Sequence, residues 1–198
     1  MHSGRTLISR CCIGFALVAS AQFAQFAQAD TWGLIQLMSS FAEIRESRAR
    51  FTEEKQLSML TEPLRLSGTL RYVRPNQLEK SVTLPHSESL RVDGDRIEWQ
   101  REKRTRVLSL RSQPQIWALV DSIRATLAGD LPRLELHYVV KFEGEKNQWK
   151  ILLTPRDPSL AKFIELIRLD GKSNHLRRVE IVEANNDRSV LLIEEARD

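Results

Sequence analysis

Cysteine is confined to Cys11 and Cys12, so the rest of the chain has no thiol for a disulfide framework or a thiolate metal site. No stretch beyond them has the about 20 consecutive apolar residues that a helix needs to cross a bilayer core. Histidine is scarce. His86, His137 and His175 each stand alone in their segments, and His137 falls on the polar phase of its surroundings. There is no Gly-x-Ser-x-Gly elbow, no His-Glu-x-x-His pair and no Gly-rich phosphate loop. Asp93-Gly94-Asp95 lacks the further spaced carboxylates of a calcium loop and reads as a hairpin turn. Charge of one sign is lacking too: 30 Lys and Arg stand against 26 Asp and Glu. That mixture gives no nucleic-acid footprint. These absences lead us to expect no enzyme, no metal and no cofactor.

What is present begins with a leader. Arg5 and Arg10 form a basic start, and an uncharged, mostly apolar run from Cys11 to Phe26 follows. Ala27-Gln28-Ala29 is a small-x-small cleavage site before polar Asp30 and Thr31. This layout predicts a secretory signal peptide over residues 1–29, removed from a single domain over residues 30–198. Arg10 before Cys11, with the apolar run after the cysteines, argues against a lipidated cysteine. The leader takes two arginines and no acid with it, lowering the formal net charge from +4 to +2. The expected compartment is outside the cytoplasm, most simply a bacterial periplasm. Removing 29 residues from 198 leaves 169, enough for one sizeable core.

Two segments have helical spacing. In residues 32–51, Leu34, Ile35, Met38, Phe41, Ile44 and Phe51 recur three to four apart. In residues 114–128, Ile116, Trp117, Leu119, Val120, Ile123 and Leu127 form an apolar face between Pro114 and Gly129, a start and a stop signal. Most of the rest alternates with a period of two, as in Leu64–Tyr72, Leu134–Phe142 and Trp149–Leu153. Further candidate strands are 78–84, 90–92, 97–101, 105–110, 163–169, 176–182 and 188–193. Asp93-Gly94, Glu143-Gly144, Asp170-Gly171 and Asn185-Asn186-Asp187 read as the turns between them. Many short strands with one apolar face predict an antiparallel meander or barrel. Two fillings of that face are open at this point: the helices pack into it as a core, or a ligand shares it.

The order of these signals resembles the LolA family of periplasmic outer-membrane lipoprotein carriers. The resemblance rests on Phe51-Thr52-Glu53-Glu54 at the lead into a first strand, with Glu53 where the family's Phe-x-Gln pattern has glutamine. It continues through Gly68-Thr69-Leu70-Arg71-Tyr72-Val73-Arg74-Pro75, the Asp93-Gly94 turn running to Trp99, Leu127-Ala128-Gly129-Asp130-Leu131, and Trp149 to Pro155. It implies an α+β fold: an incomplete, half-open antiparallel β-barrel with amphipathic helices as a lid over its concave apolar face. It also implies a carrier of acylated lipoprotein or lipid cargo, acting as a monomer between inner-membrane donor and outer-membrane acceptor proteins. A binding and regulatory module built on the same half-barrel is the second reading. On the carrier reading, Leu66, Leu70, Tyr72, Trp99, Trp117, Ile123, Leu136 and Tyr138 are the expected cavity lining. Arg74, of the Arg-Pro pair, is the expected latch on the lid.

Overall fold

The computed structural model describes residues 32–195. The expected signal peptide lies outside the described residues. Helix α1 (Leu34–Ala42) leads into β1 (Glu46–Gln56), followed by β2 (Leu64–Val73), β3 (Gln77–Leu84), β4 (Glu88–Asp93), β5 (Arg96–Arg101) and β6 (Arg104–Ser109). A single 3-10 turn, Leu110–Ser112, precedes α2 (Pro114–Ala128) and α3 (Leu131–His137). Then come β7 (Tyr138–Glu145), β8 (Gln148–Pro155), the short α4 (Pro158–Ala161), β9 (Ile164–Lys172), β10 (His175–Glu183) and β11 (Arg188–Glu195). All eleven strands of the described residues form one antiparallel sheet, ordered β6-β5-β4-β3-β2-β1-β11-β10-β9-β8-β7. The ends, β6 and β7, do not pair, so this is an open half-barrel rather than a closed one.

Register puts one apolar face on the inside of the sheet. Ala49 on β1 pairs Leu70 on β2, Leu70 pairs Lys80 on β3, and Lys80 pairs Leu90 on β4. On the other side Phe51 pairs Ile193 on β11, while Leu191 pairs Val179 on β10 and Val179 pairs Leu169 on β9. Because successive side chains alternate, every second residue along these strands shares that inner face.

The helices cover this face unevenly. Over β7–β9 they fill it. Leu37 and Phe41 of α1 are fully buried, as are Ile151, Leu153, Ile167 and Leu169 below them. Burying each such side chain contributes about 1.5–3 kcal/mol. Phe41 meets Trp149 edge-on, with ring centroids 5.8 Å apart. Trp149 lies between Gly144 and Gly171 in the register, and its Nε1 donates to the Ser173 carbonyl at 2.7 Å. A Cβ on Gly171 would stand 2.2 Å from the Trp149 ring. Gly171 makes room for the indole, while Gly144, at φ +104°, lies against the β8 backbone, where a Cβ would stand 2.2 Å from the Gln148 carbonyl oxygen. The turns themselves fall a few residues later, which corrects the expected turns at Glu143-Gly144 and Asp170-Gly171.

Two element predictions are also corrected. Helix α1 stops at Ala42 instead of reaching Phe51, because Ser47, Ala49, Phe51 and Glu53 alternate inward while Arg48, Arg50, Thr52 and Glu54 face out. The period of two was hidden by polar residues on both phases. The expected strand Leu134–Phe142 starts only at Tyr138. Asp130 caps α3 by accepting from the Arg133 N–H at 3.1 Å, Pro132 suits the first turn, and Leu131 and Leu134 share its buried side.

The convex face carries ion pairs. Glu180, nearly buried, accepts from Arg178 Nη2 and Arg188 Nε, each at 2.7 Å. Burial pushes its carboxyl up, but the two guanidiniums more than offset this and hold it below 4.5. A carboxylate whose folded pKa is depressed stabilises the fold above its unfolded pKa, and that contribution is lost as pH falls through the folded value. Thermal melts between about pH 5 and pH 3 should therefore fall more steeply for the native chain than for Glu180→Gln. Parallel slopes would remove Glu180 from the acid response.

Candidate functional site

Over β1–β4 and β10–β11 the inner face is left unfilled, and a cavity of about 650 Å3 lies between it and α2. This volume is in the range of about 300–1,000 Å3 typical of small-molecule sites. Helix α2 supplies one wall through Leu119, Val120, Ile123 and Leu127, spaced so that one helical face looks onto the sheet. The facing wall comes from Leu70 and Tyr72 on β2, Leu78 on β3, and Leu90 and Val92 on β4. Val179, Ile181, Leu191 and Ile193 complete it from β10 and β11. Asn174, His175 and Glu195 stand at one end, where the His175 imidazole contacts the Glu195 carboxylate. Apart from charged residues of β1–β3 such as Glu53 and Lys80, the walls are mostly apolar, and their apolar side chains are mostly half-buried because the space before them is unoccupied by protein.

The expected lining residues divide. Leu70, Tyr72 and Ile123 come together on the cavity wall. Leu66 lies on the inner face beyond the cavity's end, opposite Glu53. Trp99 sits on β5 under the Arg106 guanidinium, 5.9 Å from the ring centroid. Trp117 meets His137 edge-on at 4.8 Å and packs into the core. Tyr138 is fully buried and donates to the Ala118 carbonyl at 2.8 Å, tying β7 to α2. Burial raises its hydroxyl pKa. Leu136 is 69% exposed on α3, away from the cavity. Its place on the sheet depended on the strand that α3 replaces.

Arg74 reaches the end of α1: its Nη1 donates to the Ala42 carbonyl, and its backbone N–H donates to the Arg45 carbonyl at 2.9 Å. A second arginine answers it from the other helix. Arg124 of α2, 7% exposed, donates to the Asn76 carbonyl in the same β2–β3 turn. Both helices are thereby tied to one turn. Burial disfavours the Arg124 charge and raises the Tyr72 hydroxyl, an effect the nearby Arg74 and Arg124 charges partly offset. The turn after α2 holds the two helices together. Gly129 has φ +69°, and a Cβ there would lie 2.2 Å from the Met38 carbonyl oxygen of α1.

Neither Arg124 nor the burial of Glu53 is legible in the sequence pattern. Nor was Lys80 among the expected lining residues; its Nζ contacts the Glu53 carboxylate inside the cavity. The available signal was a charge on an apolar phase: Lys80 stands between Leu78 and Val82 on β3. Burial pushes the Glu53 carboxyl up, while Lys80 and Lys55 more than offset that and leave it lowered.

The described fold is an open antiparallel half-barrel with helices across its concave face. The family described as outer membrane lipoprotein carrier protein LolA-like matches residues 26–198, and the chain belongs to it. Similar solved structures include a LolA-superfamily protein from Nitrosomonas europaea, at 12% identity and a TM-score of 0.45, over 84% of this chain and 94% of that one. The Pseudomonas aeruginosa MucA/MucB complex matches at 12% identity and a TM-score of 0.41, over 82% of this chain and 54% of that one. LprF from Mycobacterium bovis matches at 8% identity and a TM-score of 0.33, over 81% and 89%. No curated protein matches the chain in sequence. Among the described residues, no helix is long and apolar enough to cross a membrane.

Proposed function

We propose that this protein is a periplasmic carrier that binds the acyl chain of a lipoprotein or lipid between α2 and the sheet and moves it towards the outer membrane. The observation that carries this reading is the cavity of about 650 Å3 left between amphipathic elements that elsewhere pack to full burial. Two amphipathic surfaces held apart gain by taking an apolar guest, at about 0.8 kcal/mol per CH2 removed from water. The Arg74 bond to Ala42 and the Arg124 bond to Asn76 are the latches that α1 and α2 release on opening. Neither site chemistry nor motif calls for catalysis, and inner-membrane donor and outer-membrane acceptor proteins are the partners such a carrier needs.

Fluorescent fatty acid titrated into the mature protein tests this reading. Saturable binding of one chain per protein is expected, and no saturation up to the probe's solubility limit would refute it. In the same assay Arg74→Ala should speed association several-fold, since one of the two latches is gone. An unchanged rate would take Arg74 out of the opening step.

A further inference from the structure

Glu53 and Lys80 place charge on the inward phase of β1 and β3, opposite apolar residues of the neighbouring strands. Glu53 is 6% exposed, and its carboxylate contacts the Lys80 ammonium and accepts from Ser189 Oγ of β11 at 2.7 Å. Lys80 reaches it by lying across Phe51, its Nζ 5.0 Å from the ring centroid. Lys55 Nζ stands 3.7 Å from the same carboxylate. The contacts run from β3 to β11, across four adjacent strands. They form a polar bar transverse to the strands.

The cavity stops at this bar. Leu70 and Leu90, which flank Lys80 in the register, line the cavity, as do Glu53, Lys80 and Ser189 themselves. Leu66, opposite Glu53, and Val82, two residues beyond Lys80, do not. Yet Val82 is buried and Leu66 half-buried, so the apolar face continues past the point where the cavity ends. Moving the Lys80 ammonium aside would leave the buried Glu53 carboxylate with only Ser189 and the longer Lys55 contact, which is destabilising. A chain end arriving at the bar would strip water from Lys80 and bury no further apolar surface.

We propose that the Glu53–Lys80–Ser189 bar is a chain-length stop that sets the longest acyl chain the cavity accepts. This rests on the acyl-binding reading above. The test is a series of saturated fatty acids of increasing length, titrated into the mature protein and into the Glu53→Leu/Lys80→Met double variant. Replacing a buried ion pair with apolar residues of similar volume is often neutral or stabilising, so the double variant should fold. Glu53→Gln/Lys80→Met is the milder pair to use if its melt is broad. In the native protein affinity should rise with length and then drop. In the double variant the drop should move to longer chains. The first chain the native protein rejects should then bind at least about tenfold tighter, equivalent to about two more buried CH2 groups. The same length optimum in both proteins would overturn the stop while leaving acyl binding intact. No binding of any chain by the native protein would overturn acyl binding and the stop together.

Discussion

Leu70→Glu should abolish acyl binding at neutral pH and leave a folded protein. Leu70 lines the cavity from the middle of β2, between Ala49 and Lys80 in the register, and its side chain is half-buried against the unfilled space. A carboxylate there remains hydrated while the cavity holds water. A bound acyl chain would expel that water, and dehydrating a second carboxylate beside Lys80, whose ammonium is already committed to Glu53, costs several kcal/mol. The gain it opposes is only about 0.8 kcal/mol per CH2. Affinity should fall at least about a hundredfold, equivalent to about 2.7 kcal/mol, while the far-ultraviolet circular dichroism is retained. Leu136→Glu is the matched control: Leu136 is exposed on α3, so binding should be unchanged. Affinity for Leu70→Glu within threefold of native would mean that the chain does not lie on this wall.

Gly129→Ala should be the most damaging small substitution at the helix junction. The residue ends α2 in the left-handed region, where its N–H closes the last turn onto the Ala125 and Thr126 carbonyls. A side chain there costs about 1–2 kcal/mol in backbone strain alone. The added Cβ would also stand 2.2 Å from the Met38 oxygen and 2.9 Å from the Ala42 Cβ. Both neighbours belong to α1, so α1 must shift away from α2. The two effects together should cost at least about 2 kcal/mol, or about 4–8 °C in Tm for a domain of this size. The shift would also disturb the Ala42 carbonyl that Arg74 holds. A melting loss below about 1 °C would show that α1 moves aside freely.

The legible parts of the sequence were those where local chemistry and packing agree. Pro114 and Gly129 bracket α2 as start and stop because they act through their own backbone geometry. Strands β2, β3 and β8 were visible because their apolar residues alternate over most of their length, and β11 because Val190–Ile193 is a continuous apolar run. Strand β1 was not visible up to Phe51, since its inward residues include Ser47, Ala49 and Glu53, which lack an apolar signature. Helix α3 imitated a strand because Leu134, Leu136 and Tyr138 fall two apart, while the cap that decides the matter lies earlier, at Asp130. Gly144 and Gly171 looked like turns because their steric roles, against the β8 backbone and the Trp149 ring respectively, appear only across strands.

The site was harder to read for a related reason. Alternation identifies an inner face, but it does not say which part of that face the helices fill. Leu70, Tyr72 and Ile123 fall where α2 stands off the sheet. Trp117 and Tyr138 fall where core and helix close together. Arg124 was masked by its position on an amphipathic helix, where a charge usually faces water. Only the fold brings it to Asn76 and shows that both helices are tied to the turn that carries Arg74.

The most direct measurement is native mass spectrometry of the mature protein, isolated gently from a bacterial envelope. A carrier with this cavity should fly with one acylated species bound, whose mass identifies the class of cargo. Protein that is empty, and stays empty after incubation with lipoprotein and lipid extracts, would contradict acyl binding.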